Sequence, residues 1–196
     1  MAVATTNLLT ADDFADWLLR PENAGRRCEL VQGKVVDMPS PTRFHGTVCF
    51  LISRILGNYI FARGAGSIAT NDSGLIVRKN PDTVRGPDLM VFLSAAQLDD
   101  IPRRPSEEVP ELVVEVLSPS DSQTRTLLRV QQYHARGVPL VWVVDPEERT
   151  VHVYAPNEFP MVLDESETLT GNGVLPDFEC KVAELFALPG TAPERN

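Results

Sequence analysis

The sequence predicts a mixed α/β domain in which a central β-sheet is flanked by helices. Three observations predict it. A long amphipathic segment over residues 43–62 precedes a series of short strand-like stretches. The runs "ELVVEVL" and "PLVWVVD" are almost continuously apolar, as expected for central strands covered on both faces. A helical pattern separates them, which makes a crossover unit and predicts that these two strands run parallel.

The elements follow in order. "TADDFADWLLR" offers Thr10 as an N-cap, with Phe14, Trp17 and Leu18 at helical spacing. "CELVQGKVVDM" reads as a β-hairpin turning at Gln32-Gly33. Pro39 and Pro41 break the chain before the long helix, in which Val48, Leu51, Ile52, Ile55, Leu56 and Tyr59 recur at three and four and Gly64 is the stop. "GSIAT" and "SGLIVR" look like two strands separated by Asn71-Asp72. "PDLMVFL" and "PELVVEVL" are two more, joined by a proline-rich acidic loop over 99–110, and are expected to be sheet neighbours. Ser120 or Asp121 caps the next helix and Gly137 ends it. "VPLVWVVDP" and "RTVHVYAP" form a strand pair turning at "DPEE". The remainder suggests one or two edge strands and a short terminal helix, with "LPGTAPERN" as a frayed tail.

The 196 residues suit one domain spanning 1–196, its core over roughly residues 10–186, large enough to fold without staples. Apolar content of 43% and charged content of 23% are those of an ordinary globule. No apolar run approaches the about 18 residues that span a bilayer, so no membrane partner is expected. The N-terminus lacks the basic and apolar blocks of a signal peptide, and a cytoplasmic location is the expectation. Cys28, Cys49 and Cys180 are odd in number and widely spaced, which suits isolated thiols rather than disulfides or a cysteine-based zinc site. The net charge of −9 argues against a general nucleic-acid coat protein. It does not exclude an enzyme whose metal offsets local carboxylates. The cations are 15 Arg and only three Lys: Lys34, Lys79 and Lys181.

Asp88 and Glu115 each stand in an otherwise apolar β-rich context. A buried unpaired carboxylate is expensive, so such acids carry a partner, a metal or a chemical task. Asp88 taken alone reads equally as a solvated or capping acid at a strand start. Glu115, the one polar residue in "LVVEVL", is harder to place on a surface. If the two strands are neighbours, both carboxylates converge at one sheet edge. With a backbone carbonyl and waters they make the oxygen-rich, open site that Mg²⁺ (or Mn²⁺) favours. Such a site polarises a phosphodiester and lowers the pKa of bound water.

Four blocks in this order, "ELVQGKVVDMPSP…H", "RGPDLMVF", "ELVVEVLSPSD" and "YHARGVPLVWVVDP", resemble the Uma-two family of proposed endonucleases, whose fold is the PD-(D/E)XK restriction-endonuclease-like one. The resemblance covers nearly the whole chain. It implies a mixed sheet between helices, a metal held by Asp88 and Glu115, nucleic acid (DNA) as the substrate and a homodimer. Asp88 matches the Asp of "PD" and Glu115 the acid of "(D/E)XK". Glu29 matches an acid on the first hairpin, and His45 a histidine at the start of the long helix. These two are expected to support the metal or water, although by themselves they read as a solvated hairpin acid and a helix-terminal packing residue.

The chain departs from the pattern at the lysine. The third position of "(D/E)XK" is Leu117. The Uma-type lysine, four residues before the tyrosine that matches Tyr133, is Arg129, and no lysine lies between Lys79 and Lys181. Arginine holds phosphate and stabilises developing charge but is a poor proton acceptor. Two further readings therefore stay open. One is a homodimeric nucleic-acid-binding or regulatory module that has lost the chemistry. The other is a structural protein whose acids pair with Arg85 or Arg129. Arg125, Arg129, Gln132 and Arg136 share a helical stripe that suits either solvent or phosphate. No Gly-rich phosphate loop, no H-E-x-x-H and no G-x-S-x-G elbow is present.

Overall fold

The computed structural model describes residues 8–119 and 121–190. Helix α1 (Ala11–Leu18) starts with a reciprocal cap: the Thr10 hydroxyl accepts the Asp13 N–H while the Asp13 carboxylate accepts the Thr10 N–H. Strands β1 (Cys28–Val31) and β2 (Lys34–Asp37) form the first hairpin. Gln32 and Gly33 both have positive φ, 50° and 76°, the turn that matches strand twist. Helix α2 (Arg43–Arg63) is capped by the Thr42 hydroxyl and ends at Gly64. Then come β3 (Ser67–Thr70), β4 (Leu75–Arg78), β5 (Thr83–Arg85), β6 (Leu89–Phe92) and β7 (Leu112–Val116). Helix α3 (Gln123–Arg136) leads to β8 (Leu140–Asp145) and β9 (Thr150–Tyr154). The described chain closes with β10 (Met161–Leu163), β11 (Thr168–Thr170), β12 (Glu179–Lys181) and a 3-10 turn, Val182–Leu185.

A six-stranded sheet in the order β10-β9-β8-β7-β6-β3 is the centre of the molecule. The β7–β8 pair is parallel, as the crossover through α3 requires, and the other pairs in this sheet are antiparallel. Strand alternation sends β7 residues Leu112, Val114 and Val116 to one face, where they pack with Val48, Ile52, Leu56 and Ile60 of α2. Val113 goes to the other face, with Met90, Phe92, Val130 and Tyr133. A second, four-stranded sheet, β2-β1-β5-β4, carries α1 over Leu30, Ile76 and Val84. β4 joins the two cores: Leu75 and Val77 belong to the α3 side, Ile76 to the α1 side. Among the described residues no helix is long and apolar enough to cross a membrane.

The mixed α/β class and the long elements match the expectations above, and the cap of α3 and the C-terminal elements differ from them. The two expected strands over 67–70 and 75–78 are both present, in different sheets: β3 pairs β6 and β4 pairs β5. Asn71 and Asp72 both take positive φ, which carries the chain from one sheet to the other. β5, a three-residue strand hidden between turn sequences, was not expected; all three of its residues are buried. Helix α3 is capped by Ser122, whose hydroxyl accepts the Arg125 N–H, while the Asp121 carboxylate accepts the Ser118 N–H instead. Ser120, the other expected cap, lies outside the described residues, as does 191–196 of the expected frayed tail. The C-terminal region holds three short strands where one or two were expected, and its short terminal helix is a 3-10 one, Val182–Leu185. One strand extends the large sheet, and two pair with each other.

Ile52 of α2 is fully buried against β6, β7 and β8 residues. Ile52→Ala is expected to destabilise the protein by about 2–5 kcal/mol. Urea unfolding should show a lower midpoint with an unchanged slope.

Candidate functional site

The site forms where the C-terminal end of β7 meets the chain entering β6. Leu89 pairs with Val114 and Met90 with Val113, so the antiparallel register, continued by one residue, sets Asp88 beside Glu115. Asp88 is held rather than free. Its Oδ2 accepts the Val116 N–H at 2.7 Å and its Oδ1 lies 3.4 Å from His45 Nε2. Glu115 follows strand parity onto the α3 face. There its Oε1 accepts the Tyr133 hydroxyl and a 3.4 Å contact from Arg129 Nη1.

His45 arrives from the first turn of α2, where its own N–H is held by the Thr42 cap at 3.2 Å. Its Nε2 lies 3.1 Å from the Val116 carbonyl. A carbonyl can only accept, so Nε2 carries a hydrogen and shares it between Val116 O and Asp88. The hydrogen bond to Asp88 and that to Cys49 raise the imidazole pKa, to about 10, against the opposing effect of burial.

Glu29 of β1 is 4% exposed and sits behind the acids. Its Oε2 takes Arg85 Nη1 at 2.7 Å; its Oε1 takes Arg129 Nη1 at 2.7 Å and the Gly86 N–H at 3.0 Å. Arg85 in turn donates Nε to Gln132 of α3 at 2.8 Å. Gly86 is required by close approach: a Cβ there would lie 2.8 Å from the Asp72 backbone oxygen. Asp72 is itself paired with the Arg27 guanidinium.

His45, Asp88, Glu115 and Arg129 line one cleft of about 340 Å³, with Arg27, the Val116 strand end and Ser118 around its rim. Four of the five expected site residues therefore meet in one cavity, and the fifth, Glu29, reaches it through Arg129. A larger groove, about 590 Å³, lies between α1 and the 100–106 loop and contains neither Asp88 nor Glu115. Along α3, Arg129 and Gln132 turn inward to Glu29 and Arg85, whereas Arg136 binds the Glu107 carbonyl and Arg125 is exposed. The acids meet arginine unevenly: Glu29 is engaged by Arg85 and Arg129, Glu115 lies 3.4 Å from Arg129, and Asp88 contacts neither. Cys49, Gln132 and Tyr133 take part without having been expected in the site, and Arg85, expected only as a partner of the acids, pairs with Glu29.

Charge is unevenly compensated. Burial first, and then the nearby Asp88 and Glu29, raise the Glu115 carboxyl to about 7, although Arg129 and the Tyr133 hydroxyl act the other way. Burial likewise pushes the Tyr133 phenol well above its ordinary value, reinforced by Glu115. Burial opposes the charge on Arg129, but Glu115, Tyr133 and Glu29 outweigh it, so the guanidinium stays ionised. The donor set suits a hard divalent cation: two carboxylates and a strand-end carbonyl face one open cleft, and an added positive charge would relieve Glu115.

Residues 11–183 match the Uma2 family, described as "Putative restriction endonuclease". The uncharacterized protein sll1609 of Synechocystis sp. (strain ATCC 27184 / PCC 6803 / Kazusa) is 30% identical over 142 residues, which are 68% of this chain and 77% of that protein. A crystal structure of "a putative nuclease belonging to DUF820" from Anabaena variabilis ATCC 29413 has the same fold, with a TM-score of 0.74 at 22% identity, covering 91% of this chain and 97% of that one.

Two outcomes follow from this electrostatic arrangement. Glu29→Gln leaves Arg85 buried without an anionic partner and is expected to destabilise by about 3–5 kcal/mol in equilibrium unfolding. Glu115 binds its proton more tightly in the fold than at its ordinary value of 4.5, so the native state holds the extra proton between pH 4.5 and about 7. Its contribution to stability is therefore greatest below that window and falls as pH rises through it. Glu115→Gln should remove this dependence, so that unfolding measured across the window moves in the variant's favour as pH rises.

Proposed function

The chain belongs to the Uma2 family, and we propose that it is a divalent-metal-dependent endonuclease that hydrolyses phosphodiester bonds in DNA. The observation that carries this reading is that two carboxylates, Asp88 and Glu115, at the ends of neighbouring strands, line one open cleft. Asp88 and Glu115 would hold a Mg²⁺ or Mn²⁺ ion, with the Val116 carbonyl beside them. That ion, when bound, would supply Lewis acidity toward the phosphodiester and an activated water.

The protein's own groups have distinct tasks. The Val116 N–H and His45 fix the Asp88 carboxylate in place, and the Tyr133 hydroxyl orients Glu115. Arg129 commits Nη1 to Glu29, Glu115 and Tyr133. Among the described residues its Nη2 and Nε carry no hydrogen bond, and a guanidinium retains donors there for a phosphate oxygen. Glu29 holds Arg129 at the cleft wall and is a positioning residue in this reading, as is His45. A second copy of the chain belongs to the proposal as a partner on the family resemblance.

One observation favours a second reading, a DNA-binding or regulatory module of the same fold without turnover. No lysine lines the cleft among the described residues, and the arginine at that place is tied to Glu29 at 2.7 Å. Supercoiled-plasmid nicking with Mg²⁺ or Mn²⁺ separates the two. The nuclease reading expects metal-dependent nicking that drops by at least ~100-fold in Asp88→Ala and in Glu115→Ala. Absence of nicking by wild type, together with its appearance in Arg129→Lys, would identify the module reading and locate the loss at that side chain.

A further inference from the structure

Beside the carboxylate pair lies one donor that the proposed hydrolysis does not use, the Cys49 thiol. Cys49 follows His45 by four residues, so one face of α2 presents a thiol directly above the imidazole. Cys49 Sγ lies 3.6 Å from His45 Nδ1. One donor atom from each of His45, Cys49 and Asp88 falls within 4.8 Å of the others. We propose that these three residues form a binding site for a thiophilic divalent cation, zinc foremost, which overlaps the Mg²⁺ site at Asp88.

Geometry and tautomer support the assignment independently. A zinc ion bonded to sulfur at about 2.3 Å and to nitrogen at about 2.1 Å, at a tetrahedral angle, holds those two atoms about 3.6 Å apart. That is the separation Cys49 Sγ and His45 Nδ1 already have. The ring is also set for it. Nε2–H is held by the Val116 carbonyl, so in the neutral ring the lone pair sits on Nδ1, toward the thiol. A ligating histidine whose other nitrogen donates to a backbone carbonyl is the usual supporting arrangement of a metal centre. Asp88 Oδ1 lies 3.4 Å from Nε2, so its carboxylate would turn toward Nδ1 to join as third ligand, and the open cleft that Asp88 and His45 line gives a path of entry and room for a water as the fourth.

Donor chemistry then selects the ion. Mg²⁺ takes oxygen and rejects a thiol; Zn²⁺ and Co²⁺ prefer imidazole and thiolate. On ligation the Cys49 thiol and the protonated His45 ring, at Nδ1, each give up a proton to solvent, and the bonds to the metal take their places. Asp88 belongs to both sites, so zinc that draws its carboxylate toward His45 and Cys49 competes with the hard cation for it. The nuclease therefore carries its own inhibitory zinc site, a consequence that rests on the reading of Asp88 and Glu115 given above.

Cobalt(II) reports the site without any need for turnover. Titration of the full chain with Co²⁺ is expected to give the near-ultraviolet thiolate-to-cobalt charge-transfer band and the visible bands of a tetrahedral ion, both displaced by Zn²⁺. Cys49→Ser should abolish the charge-transfer band, and His45→Gln should weaken binding by at least ~10-fold. Cys28→Ser should leave the band in place. No band in wild type, or a band that survives Cys49→Ser, overturns the site. In the plasmid assay zinc should inhibit Mg²⁺-dependent nicking, with at least ~10-fold more zinc needed for Cys49→Ser; equal inhibition of both overturns the sharing of Asp88. A cobalt band from a protein that never nicks DNA would uphold the metal site and remove the nuclease reading instead.

Discussion

Everything around the cleft depends on the need to neutralise one buried carboxylate. Glu29 is nearly inaccessible, and a charge in that position is tolerated only when it is paired and hydrogen-bonded. Its two oxygens accept from Arg85, Arg129 and the Gly86 N–H. Those three donors come from the end of β5, from α3 and from the turn that delivers Asp88. A single side chain on the first hairpin thus fixes the small sheet, the crossover helix and the approach to β6 relative to one another. Asp88 and Arg129 occupy defined places because Glu29 does. The short β5, weak as a sequence signal, is sheet-paired to β1 and held by this ion pair.

Strand parity supplies the other constraint. On β7, Leu112, Val114 and Val116 are committed to α2, so Glu115 must face α3. It meets Tyr133 and Arg129 there, one helical turn apart on α3. The Val116 backbone then does double work, its N–H on Asp88 and its carbonyl toward His45. Two faces of the sheet therefore contribute to one cleft at its edge: α3 fixes Glu115 from one side and α2 reaches Asp88 from the other. This explains how acids within apolar strands avoid an unpaired burial, which the strands alone would impose.

Much of this was legible in the sequence wherever a long periodic pattern was present. The bounds of α2, the Gln32-Gly33 turn and the parallel β7–β8 pair all followed from hydrophobic spacing and turn chemistry. Asp88 and Glu115 could be placed as neighbours because each interrupts a strand of its own. What stayed hidden was non-local. Nothing within residues 83–85 announces a strand, because its pairing and burial come from β1 and β4. The separation of β3 from β4 into two sheets depends on two consecutive left-handed residues, Asn71 and Asp72, whose sequence marks a turn but not which sheet follows it. Ser122 rather than its neighbours caps α3 because Asp121 is occupied by the Ser118 N–H. Cys49 was legible only as an isolated thiol. Its relation to Asp88 exists because α2 docks against the end of β7.

The exchange of lysine for arginine on α3 is best understood through the same network. A lysine at 129 would bring one compact ammonium, whereas arginine offers five N–H donors in a planar fork. Here the fork already meets Glu29 and Glu115 through one nitrogen, which an ammonium would do only by giving up its reach toward the cleft. Arginine therefore suits a site in which the hairpin acid is part of the structure, and it keeps the sum of charges unchanged. What it removes is proton exchange near neutrality. In the metal-free chain the Glu115 carboxyl, raised to about 7 by burial, is a cleft group that titrates near neutrality, and it lies on the strand and not on the helix. A chemistry built on this arrangement relies on the helix for a fixed positive charge, and on the two strand acids for whatever must bind or change.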